Sequence, residues 1–138
     1  MQSTGHFTAA DWTETPLRPV SPDAGPGAPG LHHATVTNTF TGGIEAVGTR
    51  ASYSIAYLTE TAGTFTGIEV LSGSVEGRDG SFALVQRGSF GADGVLRCTF
   101  DVLAGSGTGA LTGLRGSGGF THRHGETSVA YTFDHEWD

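Results

Sequence analysis

Three polar side chains interrupt segments of alternating apolar residues, at positions where the pattern calls for an apolar side chain. Glu69 falls in register with Phe65 and Leu71, and Asn38 and Gln86 occupy equivalent positions in two other segments. A carboxyl group with apolar neighbours should have a raised pKa and could act as a general acid or base. The two carboxamides could orient a carbonyl group or polarise an oxyanion. Glu69, Asn38 and Gln86 are therefore candidate catalytic residues.

Each of these residues also has a purely structural interpretation. Glu69 could pair with Arg87 or Arg97, or it could face water at a rim. The two amides could be core groups whose hydrogen bonds are satisfied within the protein. Both interpretations stay open, because the sequence does not fix which side of each strand faces inward.

Aromatic side chains on the same alternating positions are candidate walls of a binding site. Tyrosines offer an apolar ring with a hydroxyl tip, which suits a polyene or polyketide ligand, although each could equally be a packed core residue. Trp12 is expected to cover one mouth, and Cys98 has the environment of a small core residue. The candidate substrate-binding residues are Tyr53, Tyr57, Phe65, Phe82, Cys98, Tyr131 and Trp12.

Other kinds of catalytic centre find little support in the residue spacing. His122 and His124 lie two apart with Glu126 beyond, but the further ligands of a cupin-type metal site are missing, so we expect no metal. The segment Gly105-Ser106-Gly107 does not match the Gly-x-Ser-x-Gly nucleophile elbow of hydrolases. It also lacks the Gly-Lys-Ser/Thr ending of a phosphate-binding loop. No cofactor is therefore predicted.

The elements that must position these residues are strands. Alternation with a period of two recurs along the chain, turn signals separate the segments, and helical periodicity is almost absent. Eight strands are predicted near residues 3–12, 33–47, 50–59, 64–76, 81–91, 95–103, 117–124 and 128–137, with one helical or 3-10 turn within 109–116. Without helices to cover an open sheet, an antiparallel barrel that closes on itself is favoured over a two-sheet sandwich.

Proline and glycine mark the irregular parts of the predicted barrel. All five prolines lie between Pro16 and Pro29, so a loop rich in proline and glycine is expected near residues 16–30 of a single domain, 1–138. Gly42-Gly43 lies inside the long second strand and indicates a bulge or a bend at a barrel corner.

Composition limits the classes of partner and compartment. The net charge is −7 and the cationic residues do not cluster, which argues against nucleic acid and against an anionic membrane surface. The one cysteine allows no internal disulfide, and the sequence has neither a secretion signal nor an apolar run of membrane-spanning length. A cytoplasmic location is predicted.

A set of glycine-containing segments carries a family resemblance. The segments are Gly63-Thr64-Phe65-Thr66-Gly67-Ile68-Glu69, Glu76-Gly77-Arg78-Asp79-Gly80-Ser81-Phe82, Gly88-Ser89-Phe90, Gly105-Ser106-Gly107-Thr108-Gly109 and Leu111-Thr112-Gly113-Leu114-Arg115-Gly116. Together they resemble a bacterial family of small proteins of unknown function, whose barrel is similar to that of allene oxide cyclase. The resemblance implies an apolar, reactive substrate held in the barrel and cyclised or isomerised without a cofactor.

Three functions remain open on these grounds. The first is a cofactor-free cyclase or isomerase acting on an apolar small molecule, for example one of natural-product type, with Glu69, Asn38 and Gln86 assisting. The second is a barrel that binds such a molecule without chemistry, and the third is a structural protein with a solid core. A homodimer is expected because the opposite strand faces carry Ile68, Val70, Ala83 and Val85.

Overall fold

A computed structural model describes residues 1–19 and 30–138, with the side chains of residues 18 and 19 excluded. Eight antiparallel strands follow one another around a closed barrel, and the last strand pairs with the first. This confirms the predicted closed eight-stranded barrel. The strands are β1 (Gln2–Pro19), β2 (Gly30–Gly42), β3 (Ile44–Tyr57), β4 (Gly63–Val75), β5 (Arg78–Phe90), β6 (Val95–Val102), β7 (Leu114–Arg123) and β8 (Val129–Trp137).

The more apolar side of each strand faces the barrel interior. In β8, Val129, Tyr131, Phe133 and His135 are buried while the residues between them are exposed. The buried apolar residues form two clusters. The larger cluster includes Phe40, Leu71 and Phe82, and the smaller one includes Val36, Tyr53 and Phe65.

Inward-facing glycines make room for aromatic rings from neighbouring strands. A Cβ atom built on Gly67 would lie 2.4 Å from Cδ1 of Tyr53, and one on Gly88 would lie 2.5 Å from Cζ of Phe65. The same relationship joins Gly118 to Phe100, with a Cβ to Cζ separation of 2.6 Å. Part of the unusual glycine content therefore serves to pack the interior with aromatic rings, as in other sheets where aromatics cover glycine.

The predicted boundary between the second and third strands was wrong. Gly42 adopts a φ of 99° at the turn between β2 and β3, whereas Gly48, with a φ of 68°, lies inside β3. The pairing of β3 with β4 shifts register there, between Ala46 and Arg50. The turn therefore lies where the sequence predicted a bulge, and the bulge lies where the sequence predicted the boundary between the two strands. Both sites use glycine in the left-handed region, so residue type alone does not distinguish them.

The predicted proline-rich loop begins later than expected. β1 continues to Pro19, and Pro16 pairs with His32 while Pro19 pairs with Gly30. β8 pairs with β1 only as far as Phe7, so the second half of β1 has β2 as its strand partner. Proline has no amide proton to donate to a neighbouring strand, and this is tolerated on a segment with one free edge. Residues 20–29 of the predicted loop lie outside the described part of the chain.

A short 3-10 helix (Gly109–Leu111) lies where a helical turn was predicted, and it belongs to a segment that covers one edge of β5. The amides of Leu103 and Thr108 donate to the carbonyls of Ala83 and Ser81, both at 2.9 Å. Leu111 enters the larger cluster and is fully buried. This covering buries Ala83, which corrects the expectation that Ala83 coats the outside.

Among the described residues, the structure contains no helix with the length and hydropathy needed to cross a lipid bilayer.

Candidate functional site

The three candidate catalytic residues meet inside the barrel, between the two apolar clusters. Glu69 Oε2 accepts hydrogen bonds from Asn38 Nδ2 at 2.8 Å and from the Thr49 hydroxyl at 2.5 Å. Glu69 Oε1 accepts one from Gln86 Nε2 at 2.6 Å. All four side chains are buried. We call these residues, Asn38, Thr49, Glu69 and Gln86, the polar layer.

Burial dominates the electrostatics of Glu69. The residue is 1% exposed, and desolvation raises the pKa of its carboxyl group. The hydrogen bonds from Thr49, Asn38 and Gln86 act in the opposite direction, because they favour the charged form. Asn38 Oδ1 is buried without a hydrogen-bond partner among the described residues. A rotation of the Asn38 amide would present that oxygen to a protonated carboxyl group, so the layer has acceptable hydrogen bonding in both charge states.

The alternative in which Glu69 pairs with a neighbouring arginine is excluded for Arg87. Arg87 points outward and forms an exposed ion pair with Asp101, at 3.1 Å between Nη2 and Oδ2. Arg97 is likewise exposed on the outer face of β6. The Glu69 carboxyl group is thus stabilised by neutral donors.

Tyr53 connects the polar layer to one end of the barrel. Its hydroxyl donates to Gln86 Oε1 at 2.7 Å, and the Cys98 thiol approaches the same oxygen at 3.7 Å. Desolvation raises the pKa of Tyr53, with a smaller contribution from the Glu69 charge. Desolvation likewise raises the pKa of Cys98 to about 12, so the thiol is protonated and a poor nucleophile at neutral pH.

Five aromatic residues gather at this end: Trp12, Tyr53, Tyr57, Phe65 and Phe90. We call them the aromatic end. The Trp12 ring stacks on Tyr53 with centroids 6.4 Å apart and an interplanar angle of 28°, and Tyr53 meets Phe65 edge to face at 5.5 Å. Tyr57 meets Phe90 in the same way at 5.3 Å. Trp12 is 54% exposed, so it forms the outermost part of this apolar surface.

Phe82 and Tyr131 do not join the other candidate ligand contacts. Both belong to the larger apolar cluster, whereas Tyr53, Phe65 and Cys98 belong to the smaller one. The Tyr131 hydroxyl accepts the Ile44 amide proton at 2.8 Å and donates to the Thr41 carbonyl at 2.9 Å. These bonds fasten the turn between β2 and β3 to β8, which is a structural role.

Two polar residues at the aromatic end were missed at the sequence level. Glu14 Oε2 accepts the Tyr57 hydroxyl proton at 2.7 Å and lies 2.7 Å from His32 Nδ1, while Glu14 Oε1 accepts Trp12 Nε1–H at 3.2 Å. The predicted first strand ended at residue 12, and a register shift between Ala10 and Thr13 sets the orientation of the residues beyond it. His32 and His33 are adjacent in the sequence, and that pair was the one signal of a polar site here.

Open space lies elsewhere on the molecule. A groove of about 1150 Å³ crosses the outer faces of β1 and β5–β8, and a groove of about 510 Å³ lies beside the turn between β2 and β3. Neither is lined by Glu69, Asn38 or Gln86. Across the described residues, no three histidine, cysteine or acidic side chains come close enough together to hold a metal ion.

Comparison with known proteins places the chain in a family. A search of curated proteins found no match. A crystal structure of a protein of unknown function from Shewanella oneidensis MR-1, a member of the DUF3224 family, is 27% identical. The similarity spans 100% of this chain and 98% of that one, with a TM-score of 0.74. The profile of the same family, described as "Protein of unknown function (DUF3224)", matches residues 3–135. The chain therefore belongs to the DUF3224 family.

Proposed function

We propose that this barrel binds an apolar small molecule at its aromatic end and catalyses a cofactor-free isomerisation or cyclisation. The observation that carries the proposal is the position of Glu69 inside the barrel. Its carboxyl group is buried, has a raised pKa and connects through Gln86 to the Tyr53 hydroxyl at the aromatic end. The similarity to allene oxide cyclase implied by the glycine-containing segments supports the same reaction class, as an analogy of fold.

The chemistry would combine confinement with proton transfer. An apolar wall that holds a reactive conformer can supply several kcal/mol of the barrier reduction, because the entropy cost is met on binding. A carboxyl group with a raised pKa keeps its proton to a higher pH than an ordinary glutamate and can donate it to a ligand. Asn38 and Gln86 hold that group in place by hydrogen bonds. A ligand that displaces Trp12 would meet the Tyr53 ring first.

A second candidate is a carrier that binds the same class of ligand without changing it. Both oxygens of Glu69 already accept hydrogen bonds within the protein, and neither surface groove reaches them. That arrangement favours a polar layer that stabilises the barrel while the aromatic end binds the ligand. A solid structural barrel is the limiting case, in which the aromatic end binds nothing.

Titration with β-ionone, an uncharged polyene ketone, separates these functions. Quenching of tryptophan fluorescence reports binding, and the variant Trp12→Phe assigns the signal to the aromatic end rather than to Trp137. Exchange of the protons next to the ketone in heavy water, followed by NMR, reports proton transfer. Catalysis predicts quenching together with accelerated exchange, and loss of that exchange in Glu69→Gln would assign the proton transfer to Glu69. A carrier predicts quenching alone, and a structural barrel predicts neither.

We also propose a cytoplasmic location. The one cysteine, Cys98, is a buried free thiol in an apolar cluster. The fold therefore requires no disulfide and no oxidising compartment.

A further inference from the structure

A second group of titratable side chains lies at the aromatic end, outside the polar layer. Glu14, on β1, accepts hydrogen bonds from Trp12 Nε1–H and from the Tyr57 hydroxyl, and its Oε2 lies 2.7 Å from His32 Nδ1. The His32 ring lies 4.6 Å from the Tyr57 ring. A single carboxylate therefore contacts three of the side chains that a ligand at this end would meet.

Glu14 lies against one nitrogen of the His32 ring. Nδ1 is 2.7 Å from Glu14 Oε2, although the two atoms lack the alignment of a hydrogen bond. A proton on Nδ1 is the tautomer that a neighbouring carboxylate attracts, and it leaves a lone pair on Nε2. A histidine oriented by a carboxylate through Nδ1, with Nε2 as base, is the arrangement that serves proton transfer in many enzymes.

Accessibility separates this pair from Glu69. The side chains of His32 and Glu14 are 24% and 23% exposed, whereas Glu69 is 1% exposed. A base must come within hydrogen-bond distance of the proton that it removes. A ligand resting on Trp12 and Tyr57 can meet His32 without any opening of the barrel, but it cannot meet Glu69 in that way.

We propose that His32, oriented by Glu14, is the general base that removes a proton from a carbon atom of the ligand at the aromatic end. This inference rests on the proposed function and names the group that contacts the ligand. His32 Nε2 takes the proton, the C–H electron pair moves into an enolate, and the imidazolium returns a proton to another carbon. The products differ from the reactants in bond position alone, so the step needs no oxidant or reductant. Glu14 is a positioning residue.

The test uses 5-nitrobenzisoxazole, an apolar carbon acid, with the full-length protein. Removal of its one acidic ring proton moves the C–H electron pair into a nitrile, breaks the N–O bond and releases a coloured phenolate. We expect the protein to accelerate this reaction above buffer, and His32→Gln to lower the rate by about a hundredfold or more, the scale of general base catalysis. Added imidazole should restore part of the lost rate, which a structural role for His32 would not explain.

Two variants complete the design. His33→Gln is the matched control, because His33 is the adjacent residue and its Nε2 lies 2.8 Å from the Ser52 hydroxyl on the exposed face. It should retain the full rate. Glu14→Gln should lower the rate while tryptophan quenching by β-ionone persists, and nitrogen NMR should show loss of the Nδ1–H tautomer of His32. Thermal melting of every variant confirms that the barrel is folded.

The outcomes distinguish this inference from the function on which it rests. If His32→Gln keeps the full rate, His32 is not the base, and loss of the reaction in Glu69→Gln would then leave the proposed catalytic function standing with Glu69 as the base. If the wild-type protein shows no rate while β-ionone still quenches the fluorescence of Trp12, this inference fails and the carrier function remains. An absence of both binding and rate would remove the two together.

Discussion

The side-chain amide of Gln86 donates to Glu69 Oε1 at 2.6 Å, across the pairing of β5 with β4. Gln86 lies opposite Gly67 rather than opposite Glu69, so the bond runs diagonally, over a distance that long side chains can span. The diagonal brings Gln86 Oε1 to the Tyr53 hydroxyl at the same time. The Gln86 carboxamide therefore forms hydrogen bonds with both the carboxyl group and the tyrosine, so that a change in one of the three side chains affects the hydrogen bonds of the other two.

Replacement of Glu69 by glutamine should make the protein relatively more stable as the pH rises. Burial raises the pKa of Glu69, so the folded state holds its proton more tightly than the unfolded state does. The wild-type protein therefore loses stability from the ordinary glutamate value upward, by up to about 1.4 kcal/mol per pH unit, until the folded pKa is passed. Asn38 Oδ1 is buried and has no hydrogen-bond partner in the part of the chain that the structure describes, so it can accept the new amide protons.

Urea denaturation of both proteins across the acid to neutral range measures this difference. Glu60→Gln, in the exposed turn after β3, is the control and should show a constant offset. Glu69→Leu should instead lose about 3 kcal/mol or more, because three buried donors lose their acceptor. A pH-independent difference between wild type and Glu69→Gln would contradict the raised pKa.

The meeting of Glu69, Asn38 and Gln86 inside the barrel was foreseeable, because successive side chains of a strand point to opposite faces of the sheet. Once the apolar side of each strand faces one axis, polar residues on that side must meet inside. Thr49, the remaining donor to Glu69, was not foreseeable. The sequence pattern placed it in a turn between strands, whereas it lies in β3 beside a bulge.

Glu14 and His32 show a different limit of inference from sequence. Asp11 adopts a φ of 58°, a left-handed conformation that is rare outside glycine, and it lies within the register shift of β1 on β2, between Ala10 and Thr13. Nothing in the local sequence demands that conformation. The bulge sets which of the later side chains point to the inner face, so Glu14 joins Trp12 and Tyr57 through a tertiary effect.

All three tyrosines should resist ionisation in the native protein. Desolvation is the first cause in each case, and it raises the pKa of Tyr53, of Tyr131 and of Tyr57, the last to about 12. Because the folded state holds these protons more tightly, stability should fall as the pH rises above about 10, the ordinary tyrosine value.

Near-ultraviolet absorbance of tyrosinate measures this titration. The native protein should show almost no tyrosinate at a pH about one unit above the ordinary value, whereas the urea-unfolded chain should titrate normally. One full equivalent of tyrosinate appearing in the folded protein near the ordinary value would show that one of the three hydroxyls is not held as described.

Gly67→Ala should destabilise the barrel and disturb Tyr53. The new Cβ would lie 2.4 Å from both the Ser52 carbonyl oxygen and Tyr53 Cδ1, so backbone and ring would both have to move. Overpacking of this kind costs about 1–3 kcal/mol in the free energy of unfolding. Gly91→Ala is the matched control, since its nearest neighbour would be a flexible Asp93 oxygen at 3.3 Å. Equal midpoints of urea denaturation for the two variants would argue against aromatic packing over Gly67.

The outer face of β4 and β5 carries an exposed apolar patch. Ile68 and Val70 are 49% and 58% exposed, and Val85 pairs directly with Ile68. We propose that this apolar patch joins two copies of the chain about a twofold axis, because patches on one face are buried most simply in that way. Sedimentation at tens of micromolar should then give a dimer.

Substitution of both Ile68 and Val70 by aspartate should shift that dimer to monomer, because two carboxylates would face two more across the axis and lose their hydration. Val47→Asp is the control: Val47 is 83% exposed and lies near the turn between β2 and β3, so its substitution should leave the dimer intact. A wild-type protein that sediments as a monomer would rule out self-association through this face. A dimer that persists in the double variant would place the interface elsewhere on the barrel.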